Sequence, residues 1–257
     1  MVRAFLCHHR CASTFVREVV KFVARGLDLD LTQEHRPKHL PARAHRHPQS
    51  IAAWLQMLHR WESALNSSDV VLHRNAHAAV IERLERVDYR GCEFIRDPRD
   101  MLVSCYYSHR YSHPVRHAYQ AEHRQSLESL PMEQGLLLEL DYSSVYLEQL
   151  RECGGWSDRL LRLRFEDLIE SPRPVLHQAF AFLRLDCQEL LEQALDRYGF
   201  EAQSQGRPRG QVDVHHHYRR GVAGDWRDHF NSQIKGEFKR RFGDLLLELG
   251  YENDSDW

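Results

Sequence analysis

Arg3-Ala4-Phe5-Leu6-Cys7-His8-His9-Arg10-Cys11-Ala12-Ser13-Thr14-Phe15-Val16 opens the chain and decides how the rest is read. Phe5 and Leu6 form a short apolar run, a compact polar turn follows, and Val16, Val19, Val20 and Val23 then recur at helical spacing. The pattern predicts strand, loop and helix, the helix running from about Thr14 to Arg25 with Ser13 or Thr14 as its cap. N–H groups in the first turn of a helix have no intrahelical partner, and the helix dipole adds positive charge there. Such a loop holds anions, and Arg10 with two hydroxyls sharpens the expectation towards phosphate. The stretch lacks the glycines of a Walker loop, so by itself it reads as an ordinary strand-to-helix connection with a cation in it. The remaining motifs decide.

At 257 residues the chain is long enough for one large α/β domain, and no linker-like composition divides it, so a single domain over 1–257 is expected. Lys+Arg 35 against Asp+Glu 37 leaves a formal charge of −2, which excludes a global field drawing the chain to nucleic acid or an anionic membrane. Any anion site must be local. No apolar run reaches membrane-spanning length, so no membrane insertion is expected. The six cysteines form no C-x-x-C pair, and reduced thiols in a cytoplasmic protein account for them. Eighteen histidines invite a metal reading, at His8-His9, at His45 with His47, and at His215-His216-His217. Adjacent histidines project in different directions and no H-E-x-x-H pattern occurs, so no metal centre is expected.

Further along, Gly26 to Gln49 is polar, carries Pro37, Pro41 and Pro48, and reads as a mostly irregular binding loop. Ser50 is placed to cap a helix with Ile51, Trp54, Leu55, Leu58, Trp61 and Leu65 on one face. Asp69-Val70-Val71-Leu72, Gly91-Cys92-Glu93-Phe94-Ile95 and Leu160-Leu161-Arg162-Leu163-Arg164-Phe165 read as buried strands, separated by helical stretches such as Ala76 to Val87. This alternation predicts a parallel sheet of four or five strands with crossover helices, and a ligand beyond the strands' carboxyl ends. Arg10, His73 and Arg96 fall on that rim. In Arg96-Asp97-Pro98-Arg99-Asp100, Asp97 is an N-cap, Pro98 occupies the first helical position, and Asp100 complements the dipole. These roles leave Arg96 unexplained, and a bound anion would relieve it; Ser104, farther along the same helix, supplies a hydroxyl. Tyr106 to Gly135 reads as a helix end and a mobile segment with a short helix near Ser126. Gln203 to Gly210 reads as a flexible loop, and Arg219-Arg220-Gly221 before Gly224-Asp225-Trp226 as a mobile cationic flap.

This ordered set resembles the sulfotransferases that use 3′-phosphoadenosine 5′-phosphosulfate (PAPS), in their bacterial, cytosolic-like form. His9-Arg10-Cys11-Ala12-Ser13-Thr14-Phe15 is similar to the family's Pro-Lys-Ser-Gly-Thr-Thr-Trp loop around the 5′-phosphosulfate. Arg96 with Ser104 is similar to its 3′-phosphate motif, Phe165-Glu166-Asp167 to its Tyr-Glu-Asp segment, and Arg219-Arg220-Gly221 with Gly224-Asp225-Trp226 to its flap. The resemblance implies a three-layer, P-loop-NTPase-like α/β fold that transfers a sulfuryl group from PAPS, leaving PAP, to a hydroxyl or amine of a small-molecule or carbohydrate acceptor without a metal ion. It implies cofactor contacts from Arg10, Cys11, Ala12, Ser13, Thr14, Phe15, Arg96, Ser104, Phe165, Arg219, Arg220 and Gly221.

The departures from the family pattern are informative. Arg10 stands where the family has a lysine, keeping the charge and changing its geometry. Ala12 stands for a glycine, so the loop cannot need a positive φ there without some strain. Phe15 and Phe165 replace a tryptophan and a tyrosine. The resemblance makes His73 a candidate general base, with His77, Glu34 and His35 open as alternatives. The His, Arg and Tyr content of the two long polar segments suggests a polar or anionic acceptor. Two other readings stand beside this one: a PAP- or nucleotide-binding module without catalysis, and a metal-dependent P-loop kinase-like phosphotransferase.

Overall fold

The structure is a computed structural model that describes residues 1–35, 48–153 and 157–257, with backbone alone at 34, 35 and 48–51. In chain order the first elements are β1 (Val2–Cys7), α1 (Ser13–Gly26), β2 (Leu31–His35), α2 (Pro48–Ser67), β3 (Val70–Arg74), α3 (Ala78–Leu84) and β4 (Tyr89–Ile95). Next come α4 (Pro98–Tyr107), α5 (Ala118–Ser129), α6 (Met132–Glu152), β5 (Leu160–Arg164), α7 (Phe165–Glu170), α8 (Pro172–Phe182), α9 (Gln188–Tyr198), α10 (Phe200–Gln203) and α11 (Ser232–Glu248). Two compact units result, one of residues 1–96 with 148–199, the other of 97–147 with 200–257.

The first unit carries the sheet, in the order β2-β3-β1-β4-β5, and each neighbouring pair is parallel. Parallel neighbours need long crossovers, which the helices supply. Side chains alternate along a strand, and each face of this sheet finds its own apolar cover. Phe5 and Cys7 share a core with Val70, Leu72 and Phe94, with the valines of α1, and with Leu176, Phe180 and Leu191 of α8 and α9. Ala4, Leu6 and Val71 face the other way, against Met57, Trp61 and Leu65 of α2 and Val80 and Leu84 of α3. The outcome is the expected three-layer α/β arrangement.

Three local expectations change. The polar stretch after α1 is not wholly irregular: Leu31–His35 forms an edge strand beside β3, while 36–47, with Pro37, Pro41, His45 and His47, lies outside the described residues. Pro48 and Ser50 lie within α2, so Ser50 does not precede the helix as a cap. Tyr106 to Gly135 is more regular than expected. α4 runs to Tyr107, a π-helical turn follows at Ser108–Ser112, and α5 spans twelve residues. No helix among the described residues is long and apolar enough to cross a membrane.

Trp61 is fully buried, and its indole N–H donates to the Val80 carbonyl at 3.1 Å, joining α2 to α3. Trp61→Ala removes a large apolar side chain and that bond together. It should lower stability by about 3–5 kcal/mol, read as a shifted urea midpoint at an unchanged m-value.

Candidate functional site

In the first unit, β1 delivers its loop to the start of α1 at the carboxyl end of the sheet. Arg10 and Ala12 both adopt left-handed backbone, with φ of 61° and 54°. The turn demands a positive φ at Ala12, and alanine carries there the strain that the missing glycine implies. Ala12 is also the helix cap, with no side-chain capping bond, so Ser13 and Thr14 lie inside the first turn rather than before it. The Val16 N–H reaches back to the Ala12 carbonyl at 3.0 Å. The amides of Ser13, Thr14 and Phe15 consequently stand in the first turn of α1, ahead of that first backbone bond.

Cys11 turns the other way. Its side chain lies in the core, its thiol donates to the His9 carbonyl at 3.4 Å, and its own N–H donates to the His8 carbonyl. Burial raises the thiol well above its ordinary pKa, so it stays protonated. Cys11 thus anchors the loop from below. Phe15 also leans on this core.

Arg96 follows β4 and is 7% exposed. One of its Nη atoms donates to the Arg10 carbonyl at 3.2 Å, and its guanidinium lies 4.1 Å from the centroid of the Phe165 ring. Its Nε is buried with no hydrogen-bond partner among the described residues. A buried cationic donor without an acceptor is costly, and an anion at that edge would satisfy it. Phe165 opens α7 instead of ending β5, and it supports this arginine.

His73 lies inside β3, not beyond it, opposite Leu6 of β1 and Glu34 of β2. It is fully buried, with Trp61 edge-on at 5.2 Å and His77 at 5.6 Å. The side chains of Glu34 and His35 lie outside the described residues.

The second unit carries Ser104, Arg219, Arg220 and Gly221. Its organising charges are Asp97, Arg99 and Asp100, on or just before the first turn of α4. Asp97 caps the helix as expected, accepting from the Arg99 N–H at 2.9 Å. Arg99 is 1% exposed, returns a bond from Nη2 to Asp97 at 2.8 Å, pairs with Glu252, and lies 4.0 and 4.4 Å from the ring centroids of Trp226 and Trp257. Burial raises Asp97 above its ordinary pKa even beside this arginine. The cost of stripping water from both charges offsets much of their attraction, so what the pair secures is the arginine's orientation.

Asp100 does more than complement the dipole. Its buried carboxylate accepts from the Gly224 N–H at 2.7 Å and the Trp226 N–H at 2.9 Å. Between them stands Asp225, which pairs with both Arg219 and Arg220; Arg220 also reaches Asp228 at 2.9 Å, and Arg219 lies over the Tyr107 ring at 4.1 Å. Gly221 has φ 68°, and a Cβ there would fall 2.4 Å from the Phe200 ring. Arg207 donates to the carbonyls of Tyr218 and Arg219, tying the preceding loop to the flap. Ser104 is half-buried on α4. Arg99 and Asp225 were visible in the quoted motifs, but nothing local in the sequence marked the contacts they make.

The sequence profile of the family described as "Sulfotransferase domain" matches residues 92–250. Comparison with the curated proteins gives no match. Among solved structures, mouse sulfotransferase SULT7A1 complexed with PAP is similar with a TM-score of 0.55 at 15% identity, over 95% of this chain and 84% of that one. Retinol dehydratase in complex with androsterone and inactive cofactor PAP gives 0.54 at 16% identity, over 95% and 80%. Retinol dehydratase with retinol and PAP gives 0.53 at 15%, over 95% and 81%. At such identities the likeness establishes a shared fold.

Left-handed backbone at a helix cap favours glycine on both counts. Ala12→Gly should therefore raise stability by about 0.5–1 kcal/mol, measured as a higher urea midpoint; an unchanged or lower midpoint would show that the loop carries no strain at this residue.

Proposed function

The chain belongs to the sulfotransferase domain family, and from that premise we propose that it transfers a sulfuryl group from PAPS to a hydroxyl or amine of a small-molecule or carbohydrate acceptor, as a single domain over 1–257. The observation that carries the site assignment is the bond from Arg96 to the Arg10 carbonyl, which joins the two expected phosphate-binding motifs of the first unit. The orphaned Nε of Arg96 and the first-turn amides of α1 fit an anionic cofactor. Asp225, already paired with Arg219 and Arg220, fits a flap whose cations take an anion when one is offered. The likeness to PAP-bound structures over 95% of the chain supports the same cofactor. The cytoplasm is its compartment in this reading, supported by six buried cysteines with no disulfide among the described residues.

PAPS, when bound, supplies the sulfuryl group and leaves as PAP. Arg10 and the amides of Ser13, Thr14 and Phe15 then stabilise charge that builds on the bridging oxygen, each such donor contributing a factor of order 10²–10³ in rate. Cys11 holds the loop from the core side, Ala12 sets its left-handed turn, and Phe15 and Phe165 offer rings for the adenine. In this reading Arg96 of the first unit and Ser104, Arg219 and Arg220 of the second are the ligands of the 3′-phosphate, and Gly221 is a further cofactor contact. Because a sulfuryl group carries less charge than a phosphoryl group, these donors act without a metal ion. His73 takes the acceptor's proton, with His77, Glu34 and His35 as the alternatives.

The polar content of Tyr106 to Gly135 no longer argues for an anionic acceptor. His109, Arg110, His123 and Arg124 direct their polar groups into bonds within their own unit. Arginine in place of lysine at residue 10 favours one second reading, a nucleotide-binding module without catalysis.

Calorimetry without magnesium should show PAP binding at least about tenfold more tightly than ATP, which corresponds to about 1.4 kcal/mol; equal affinity, or a preference for ATP, overturns the cofactor assignment. With labelled PAPS and a panel of acceptors, Arg10→Ala should lower turnover by about 10²–10³ while PAP affinity falls less than tenfold. Equal losses would reduce Arg10 to a binding residue, and no transfer to any acceptor by the unaltered protein would select the binding module.

A further inference from the structure

Among the described residues two groups of histidine, carboxylate and thiol bring their ligand atoms within 4.8 Å of one another. The first, His8, Glu93 and Cys153, is unsuited to a cation. His8 Nε2 meets one Glu93 oxygen at 2.6 Å, but Arg162 occupies the other at 3.1 Å, placing a permanent positive charge where an ion would sit. Burial also raises the Cys153 thiol far above its ordinary range, away from the thiolate a metal needs.

The second group is different. Glu139 lies on α6, fully buried, and each of its oxygens meets one imidazole: His109 Nδ1 at 2.9 Å on Oε1 and His123 Nε2 at 2.8 Å on Oε2. His109 belongs to the π-helical turn and His123 to α5. A π-turn is an uncommon departure from α-helix that recurs at functional sites. Here the wide turn is closed by the His113 N–H on the Ser108 carbonyl at 2.7 Å.

We propose that His109, His123 and Glu139 bind one divalent transition-metal ion of the zinc type, held structurally and apart from sulfuryl transfer. Two imidazoles and a carboxylate form a donor set that suits Zn²⁺, with bonds of about 2.0–2.2 Å. Ligand atoms around a tetrahedral ion at that distance stand roughly 3.3–3.5 Å apart. The nitrogen-to-oxygen separations here are shorter by about half an ångström, as expected when protons bridge the same groups. An ion in place of those protons would be held by the carboxylate and both imidazoles together.

The surroundings already hold the ligands as outer partners hold those of metal sites. Ser143 Oγ donates to Glu139 Oε1, and the Tyr142 ring stacks on His123 with centroids 3.7 Å apart and planes 9° from parallel. His113 lies 5.5 Å from the His109 ring and lines a small pocket beside the pair, together with Gln120. Arg124 lines the same pocket, but its Nε and Nη2 donate to the carbonyls of His109 and His113, which directs its charge to the backbone. His123 and His109 lie 16 and 30 residues before Glu139 in sequence. Such an ion would fasten the π-turn and α5 to α6.

The test uses the full chain, stripped with a chelator and titrated with Co²⁺ and Zn²⁺. We expect one ion per chain, a four-coordinate d–d absorption spectrum for Co²⁺ without thiolate charge transfer, and a melting temperature that rises with Zn²⁺. Glu139→Gln and His123→Asn should each weaken binding by about 100-fold or more, with circular dichroism confirming the fold; His109→Asn replaces either variant if it fails to fold. Replacing His215, His216 and His217 together by Asn should leave the stoichiometry unchanged. Failure of the unaltered chain to bind at micromolar ion, or binding that survives Glu139→Gln and is lost from the triple variant, overturns the proposal. These readouts do not involve PAPS, so they stand or fall independently of the transfer reaction.

Discussion

A single buried carboxylate, that of Asp100, governs the second unit. Its two oxygens satisfy the N–H groups of Gly224 and Trp226, more than 120 residues away in sequence. Those bonds hold the turn in which Gly224, at φ 78°, reverses the chain and presents Asp225 to the two arginines of the flap. Trp226, fixed by the same bonds, provides one of the rings against which Arg99 lies. Remove the carboxylate and two backbone donors lose their partner, the one on Trp226 buried and the one on Gly224 half-buried, a deficit larger than that of an exposed ion pair. The flap, the aromatic cluster and the start of α4 are thereby one construction.

The sequence announced much of the first unit because local chemistry determined it. Alternating apolar runs in β1, β3 and β4 required a sheet covered on both faces, and Pro98 after Asp97 marked where a helix begins. The edge strand β2 escaped notice because Leu31-Thr32-Gln33-Glu34-His35 is polar and leads into proline-rich chain, as suits a strand with only one neighbour. The left-handed Ala12 was half legible: the replaced glycine marked positive φ as strained there, and only the closure of the loop onto α1 imposes it.

The candidate site shows the same division. Arg96 stood out as a cation its helix start does not explain, and motif order joined it to Arg10 and the Arg219-Arg220 pair. What they lean on did not stand out. The Phe165 ring beneath Arg96, the Asp225 carboxylate between two arginines and the Trp226 and Trp257 rings around Arg99 are ordinary residues until the fold brings them together. The histidines of the π-turn and α5 were equally illegible, since the glutamate that joins them lies in a third element.

Asp225 also bears on how the flap responds to its medium. Arg219 and Arg220 already have a negative neighbour, so any anion that met them would compete with a carboxylate instead of entering a bare positive field. Long-range attraction at that point is muted, and added salt has less of it to screen. Two arginines beside an internal counter-anion therefore discriminate by hydrogen-bond geometry at contact more than by charge at a distance. Arginines compensated in this way present less free charge to polyanions at large than an uncompensated cluster of the same residues.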